Sequence, residues 1–201
     1  MIDAYLLPLQ RRLLHPVARA LHERGIRADW VTLAGFACGL AGAGAAACGA
    51  PGLALAGLVA NRVADGLDGE IARRAGPTDR GAFLDIALDF LFYALFPLGF
   101  ALADPQANAL AAAALIASFI GTGSSFLAFS LIAERRGMAA ADYPSKGIYY
   151  LGGLTEGAET IALFVAICLF PAAFVPLAWG FAAACAVTTS TRLLAGWRLF
   201  R

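Results

Sequence analysis

These 201 residues predict an all-α integral membrane fold, with six transmembrane helices behind an N-terminal amphipathic helix at the interface. Three observations lead there. Sixty per cent of the residues are hydrophobic and only 14% are charged, which is too apolar for a soluble domain. Apolar runs of helix length alternate with short turns built on Pro, Gly and Asp. Threading those runs back and forth also places all 15 lysines and arginines on one side. That is the positive-inside bias, and it puts both termini in the cytoplasm. The whole of residues 1–201 reads as a single membrane domain, with residues 1–25 as the juxtamembrane helix and 30–196 as the bundle.

In residues 1–25, Leu6, Leu9, Leu13, Leu14, Val17 and Leu21 recur at helical spacing, with Arg11, Arg12, Arg19 and Arg24 on the other side. Such a helix lies in the headgroup layer. The arginines interrupt the apolar run and no small-residue cleavage site follows, so it is not a signal sequence. Gly25 stops it. His15 and His22 read as interfacial groups rather than ligands. The first span covers about Trp30–Cys48, with Asp29 as its N-cap and Trp30 at the interface. Gly35, Gly39, Gly42 and Gly44 offer small surfaces for close helix approach. Ala50-Pro51-Gly52 turns the chain into a second span, about Leu53–Arg73, which Gly76-Pro77 ends. The third span runs from about Gly81 to Leu102 and turns at Asp104-Pro105. The fourth, about Ala107–Ala133, is long enough to tilt or project. A polar connection, about 138–153, leads to the fifth span, Leu154–Phe170. After Pro171–Pro176 the sixth continues to about Arg192. Cys38, Cys48, Cys168 and Cys185 all lie in apolar stretches without metal-ligand spacing and read as packing residues, with no disulfide or zinc expected.

The stretch Asn61–Phe90 carries the chemistry. Asp65, Asp68, Gly69, Ala72 and Arg73 share one helical face roughly 140° wide. Asp85 and Asp89, at i and i+4, share another. Helices meeting along these faces bring four carboxylates into one small volume. Like charges so close raise each other's pKa, so a cation is needed among them. Hard divalent ions with oxygen ligands are the natural choice, and Mg²⁺ commonly divides its shell between carboxylates and phosphates. Two ions, Mg²⁺ or Mn²⁺, would neutralise a diphosphate and orient an in-line displacement.

The segment DGLDGEIAR, followed by GAFLDIALD, resembles the motif of the CDP-alcohol phosphatidyltransferase family. Asp65, Asp68, Gly69, Ala72, Arg73, Gly81, Asp85 and Asp89 match it position by position. The seven residues between Arg73 and Gly81 make a spacer slightly shorter than the family's, a difference confined to the connecting loop. ADWVTLAG also looks like the family's entry into its first membrane helix. The resemblance implies attack by an alcohol on the β-phosphate of a CDP-linked substrate, with CMP leaving. It implies metal binding by Asp65, Asp68, Asp85 and Asp89, with Asp89 also the general base. Gly69 and Ala72 would let the nucleotide approach the helix. Arg73, a guanidinium with paired donors, would bind phosphate, and Thr78 beside Gly81 would touch the cytidine. A homodimer is also implied, and the apolar third and fourth spans offer an interface.

For the acceptor, Lys146 and Arg192 lie on the cytoplasmic side and suit a phosphate-bearing alcohol. Arg192 resembles a basic position of the family near that subsite, while Arg135 and Arg136 fit lipid headgroups equally well. Glu156 and Glu159 either bind a polyol or an amine, or pair with Arg192 or Lys146. Arg62 pairs with lipid phosphate or with Asp65.

The leading expectation is a transferase that moves a phosphatidyl group from CDP-diacylglycerol to a small polar alcohol. In a bacterium it would reside in the inner membrane. A choline- or ethanolamine-type phosphotransferase acting on diacylglycerol is the alternative within the family. A divalent cation carrier is the distant one, disfavoured because the outer halves of the spans are apolar. No nucleic-acid partner is expected.

Overall fold

The computed structural model describes residues 3–138 and 153–201, and among these all regular structure is helical. In order come α1 (Asp3–Glu23), α2 (Ala28–Ala47), α3 (Pro51–Ala75), α4 (Asp79–Ala103), α5 (Pro105–Arg135), α6 (Gly157–Leu169) and α7 (Phe174–Leu199). A single 3₁₀ turn, Pro171–Ala173, precedes α7. The expected all-helical membrane architecture is present. Four helices are long and apolar enough to cross a bilayer: α2, α4, α5 and the unit Pro171–Leu199. Large apolar side chains along them, including Leu110, Ile120, Leu131 and Leu193, face outward. That suits lipid and not water. Trp30 and Trp197 are exposed near one end of the bundle and Trp179 nearer the other, as interfacial anchors would be.

The other two expected spans differ in kind. Helix α3 is 25 residues long, but its second half carries the charged motif, which makes the helix less apolar on average. Helix α6 has 13 residues, about 20 Å of rise against a hydrocarbon core of about 30 Å. It starts later than Leu154 because Glu156 is its N-cap. Glu156 and Glu159 form a reciprocal capping box that satisfies the first backbone donors.

Turn chemistry explains most of the boundaries. Gly25, Gly49, Gly76 and Gly137 end helices in left-handed conformations, where a Cβ would be strained. Thr78 caps α4 by accepting from the Gly81 amide at 3.1 Å. Asp104 caps α5 by accepting from Ala107 at the same distance. Asp29 is not the cap of α2; Arg27 occupies that position. Asp29 sits in the first turn and bridges Arg27 and Arg80, tying the start of α2 to the start of α4.

Helix α2 is the wedge of the fold. It packs against both α3 and α4, which make few close backbone approaches to each other. Gly35, Gly39 and Gly42 are buried on it, whereas Gly44 has open space beside it and takes no part. A Cβ at Gly57 would lie 2.5 Å from the Gly42 Cα, and one at Gly99 would lie 2.3 Å from the Ala43 carbonyl oxygen. Gly57→Ala is therefore expected to destabilise the bundle by about 1–3 kcal/mol through overpacking. Unfolding of the purified chain in SDS–detergent mixtures measures this, with Gly44→Ala as the unaffected control.

Below the motif lies a cluster of rings, Phe92, Phe96, Phe100, Phe119, Phe164 and Phe174, most of them fully buried. Of the cysteines, Cys168 and Cys185 are in the interior, but Cys38 and Cys48 are exposed rather than packed. Helix α1 lies on α3, where Arg74 contacts His15 and Ala18 is buried. Leu13 and Val17 remain exposed, leaving α1 an apolar strip for the bilayer surface.

Candidate active site

The short connection between α3 and α4 sets the register of the site. Asp68 lies seven residues before the end of α3, and Asp85 lies six residues after the start of α4. Asp65 and Asp89 each lie ten residues from the same connection. The hairpin thus brings each carboxylate of one helix level with a carboxylate of the other. The expectation that the two helices meet directly does not hold. Helix α2 spreads them, and the side chains reach into the gap.

Carboxylate oxygens of Asp65, Asp68 and Asp85 lie within 4.8 Å of one another. The Asp68 side chain is only 5% exposed, and its Oδ2 is buried without a hydrogen-bond partner. A buried, unsatisfied anion is costly unless something positive meets it. Three convergent hard oxygen donors, one of them orphaned, fit a divalent cation such as Mg²⁺ or Mn²⁺. Asp89 lines the same cavity as these three but lies outside the trio. Its Oδ1 accepts from Arg62 Nη2 at 2.6 Å. Arg62 Nη1 is also 3.7 Å from Asp65 Oδ2.

The four aspartates line a cavity of about 1000 Å³ that runs from the start of α2 to α5 and α7. The residues expected to hold the nucleotide, Gly69, Ala72, Arg73, Thr78 and Gly81, all line it. Their surroundings add detail. A Cβ at Gly69 would lie 3.3 Å from Arg73 Nη1, so this glycine makes room for the guanidinium as well as for a ligand. Arg73 donates to Glu70 at 2.9 Å. Glu70 is itself buried and lies 3.9 Å from His15 of α1. Glu70 had no assigned role in the motif, yet it orients Arg73. Thr78 and Gly81 are engaged with each other as cap and first-turn amide.

The residues expected at the acceptor divide. Arg192 and Glu156 line the cavity, whereas Glu159 does not. Arg192 is buried, donates to the Thr122 carbonyl at 3.0 Å and lies over the Phe126 ring. Beside it, Thr188 accepts from Leu154 and Thr155, fixing the segment that enters α6. Glu159 accepts from the Glu156 amide, a helix-capping task that local spacing alone predicts. Lys146 lies outside the described residues. Arg62, expected to pair with lipid phosphate or with Asp65, lies beside Asp65, whereas Asn61, Arg27 and Arg80 surround the site without having been placed there from the sequence. For Asn61 and Arg62 a signal existed, since strongly polar side chains within an apolar helix are functional candidates.

Comparison with known proteins gives the family and the fold. The CDP-alcohol phosphatidyltransferase family profile matches residues 26–191. The chain is 52% identical over 197 residues to the inner membrane protein YnjF of Escherichia coli strain K12, covering 98% of this chain and 96% of that one. Its fold is similar to that of the Mycobacterium tuberculosis phosphatidylinositol phosphate synthase PgsA1. The structure of PgsA1 with manganese and citrate aligns at a TM-score of 0.72 and 24% identity, over 92% of this chain and 88% of that chain. The structure with CDP-DAG bound aligns at 0.69 and 24%, over 92% and 94%.

Proposed function

This chain belongs to the CDP-alcohol phosphatidyltransferase family, and from that premise we propose that it transfers a phosphatidyl group from CDP-diacylglycerol to a small polar alcohol, with release of CMP. The observation that carries the proposal is the convergence of Asp65, Asp68 and Asp85 at the mouth of a cavity that also holds Arg73. Such a cavity suits a nucleotide diphosphate at its polar end. PgsA1, of the same fold, is described with CDP-DAG and with manganese bound.

In the reaction, an alcohol oxygen forms a bond to the β-phosphorus of CDP-diacylglycerol. The bond between that phosphorus and the bridging oxygen breaks, and CMP carries the electrons away. Asp89 accepts the alcohol proton, because a neutral alcohol is a weak nucleophile. Arg73, held by Glu70, pairs with the phosphate oxygens. Gly69 and Ala72 keep the α3 surface low where the nucleotide lies, and Thr78 with Gly81 borders the same space. Asp65, Asp68 and Asp85 would hold Mg²⁺ or Mn²⁺, which when bound neutralises the charge of the diphosphate. Arg192 and Glu156 face the acceptor.

The orientation follows from charge. The turns at 48–50 and 170–173 and at Asp104 carry no Lys or Arg, whereas the site end of the bundle is rich in arginine. This bias supports a cytoplasmic site and cytoplasmic termini, on the side where nucleotide-activated substrates are made. We also place a homodimer contact on the exposed apolar faces of α4 and α5, among them Leu91, Leu102, Leu110 and Ile120.

The test mixes the purified chain with CDP-diacylglycerol, Mg²⁺ or Mn²⁺ and a panel of alcohols, free and phosphorylated. CMP release with one acceptor, together with the matching lipid product, is expected. CMP release only from CDP-choline or CDP-ethanolamine with diacylglycerol would identify the alternative reaction. Ion uptake into vesicles without CMP release under any condition would replace the transferase with a carrier.

A further inference from the structure

We infer that Arg62 is the permanent counter-ion of Asp89, so that this end of the site takes no metal and the chain binds a single divalent ion, among Asp65, Asp68 and Asp85. The inference rests on the transferase reading above and revises the expectation of two ions.

The guanidinium is held on several sides. Its Nη2 donates to Asp89 Oδ1 at 2.6 Å, and its Nε donates to Asn61 Oδ1 at 2.8 Å. Its Nη1 faces Asp65 Oδ2 at 3.7 Å. Its carbon lies 5.2 Å from the centroid of the Phe92 ring and 5.8 Å from that of Tyr93. The partner that anchors it is anchored in turn. Asn61 is buried, and its amide donates to the Gly35 carbonyl at 3.0 Å. The cation is therefore clamped by α2 through Asn61 and by α4 through Asp89 and two rings. It is not a surface arginine free to swing aside.

A divalent ion approaching Asp89 would meet a fixed positive charge already hydrogen-bonded to its ligand oxygen. Like charges at such separations repel strongly where water is scarce. Asp65, Asp68 and Asp85, by contrast, have mutually convergent oxygens, and Asp68 Oδ2 lacks a partner. The site thus has two cationic positions of different origin: one for an ion and one built from the chain. Holding Oδ1 of Asp89 on Arg62 leaves the other oxygen of that carboxylate for the alcohol proton.

Mn²⁺ titration of the nucleotide-free purified chain, followed by the electron paramagnetic resonance of free Mn²⁺, tests this without turnover. A single bound ion is expected. Asp89→Asn should keep that ion, with the stoichiometry still one. Asp85→Asn should lose it. Arg62→Met should admit a second ion, which the double variant with Asp89→Asn loses again, and Arg62→Lys should stay at one. Arg62→Gln, which keeps a donor for Asn61, is read in place of Arg62→Met if the latter does not elute as a folded species. A second ion in the wild-type chain that Asp89→Asn removes would overturn the inference alone. So would a count of one in both the Met and Gln variants. Failure of the wild-type chain to bind any Mn²⁺ would overturn the metal site of the transferase reading, and the inference with it.

Discussion

Asp89→Asn is expected to cut the rate of phosphatidyl transfer by about 10²–10⁴-fold while leaving CDP-diacylglycerol binding nearly unchanged. An amide oxygen has almost the shape of a carboxylate oxygen but cannot take the alcohol proton. The loss should therefore fall on kcat and spare KM. The structure sharpens the expectation. Asp89 lies outside the three-carboxylate group and is held by Arg62. Its replacement should leave the metal ligands intact and the folded chain monodisperse. CMP release measured against substrate concentration separates the two parameters. An Asp89→Asn protein that retains wild-type kcat would refute the role of Asp89 as base.

Removal of divalent metal is expected to stop the reaction, with a loss of about 10³-fold or more, equivalent to about 4 kcal/mol of transition-state stabilisation. Asp68→Asn should mimic the chelated enzyme. The reason lies in the burial of Asp68: a carboxylate oxygen without a partner, close to Asp65 and Asp85, is a strained arrangement that a cation relieves. A second consequence follows from linkage. An ion that binds only the folded chain raises its thermal stability with concentration. The wild-type midpoint should therefore fall on chelation, and that of Asp68→Asn should not respond. Without metal, Asp68→Asn should be at least as stable as the wild type, because one of three crowded charges is gone. A metal-independent turnover, or a midpoint indifferent to Mn²⁺, would contradict this arrangement.

Much of the site could be read along the chain because each half of it sits on one regular helix. Spacing of three and four residues assigns Asp65, Asp68, Gly69, Ala72 and Arg73 to one face, and Asp85 and Asp89 to another. Gly76-Pro77 announces the hairpin that aligns them. The same local logic located Thr78 and Gly81, whose capping contact is three residues long. It also contained, unexploited, the capping box of Glu156 and Glu159. These two acids read either as acceptor ligands or as partners of Arg192 or Lys146, and the structure adds that Glu159 accepts from the amide at the start of its own helix. Asp29 was misplaced by two positions for a related reason. A polar residue ahead of an apolar run suggests a cap, and a long-range partner, here Arg80, is invisible in the run itself.

What the linear order of residues could establish about this protein is therefore periodic and near-neighbour in kind: a helical membrane chain, its charge asymmetry, its motif and the face each motif residue occupies. The folded bundle alone decided the distances across helices. Glycines at 35, 39 and 42 let α2 pack closely against α3 and α4, with carboxylate oxygens of Asp65, Asp68 and Asp85 within 4.8 Å of one another across the gap. It also decided that Arg62, expected on lipid phosphate or Asp65, faces Asp65 at 3.7 Å and hydrogen-bonds Asp89, 27 residues away. Helical periodicity settles direction around one axis, whereas the gap between two axes depends on every side chain that packs between them.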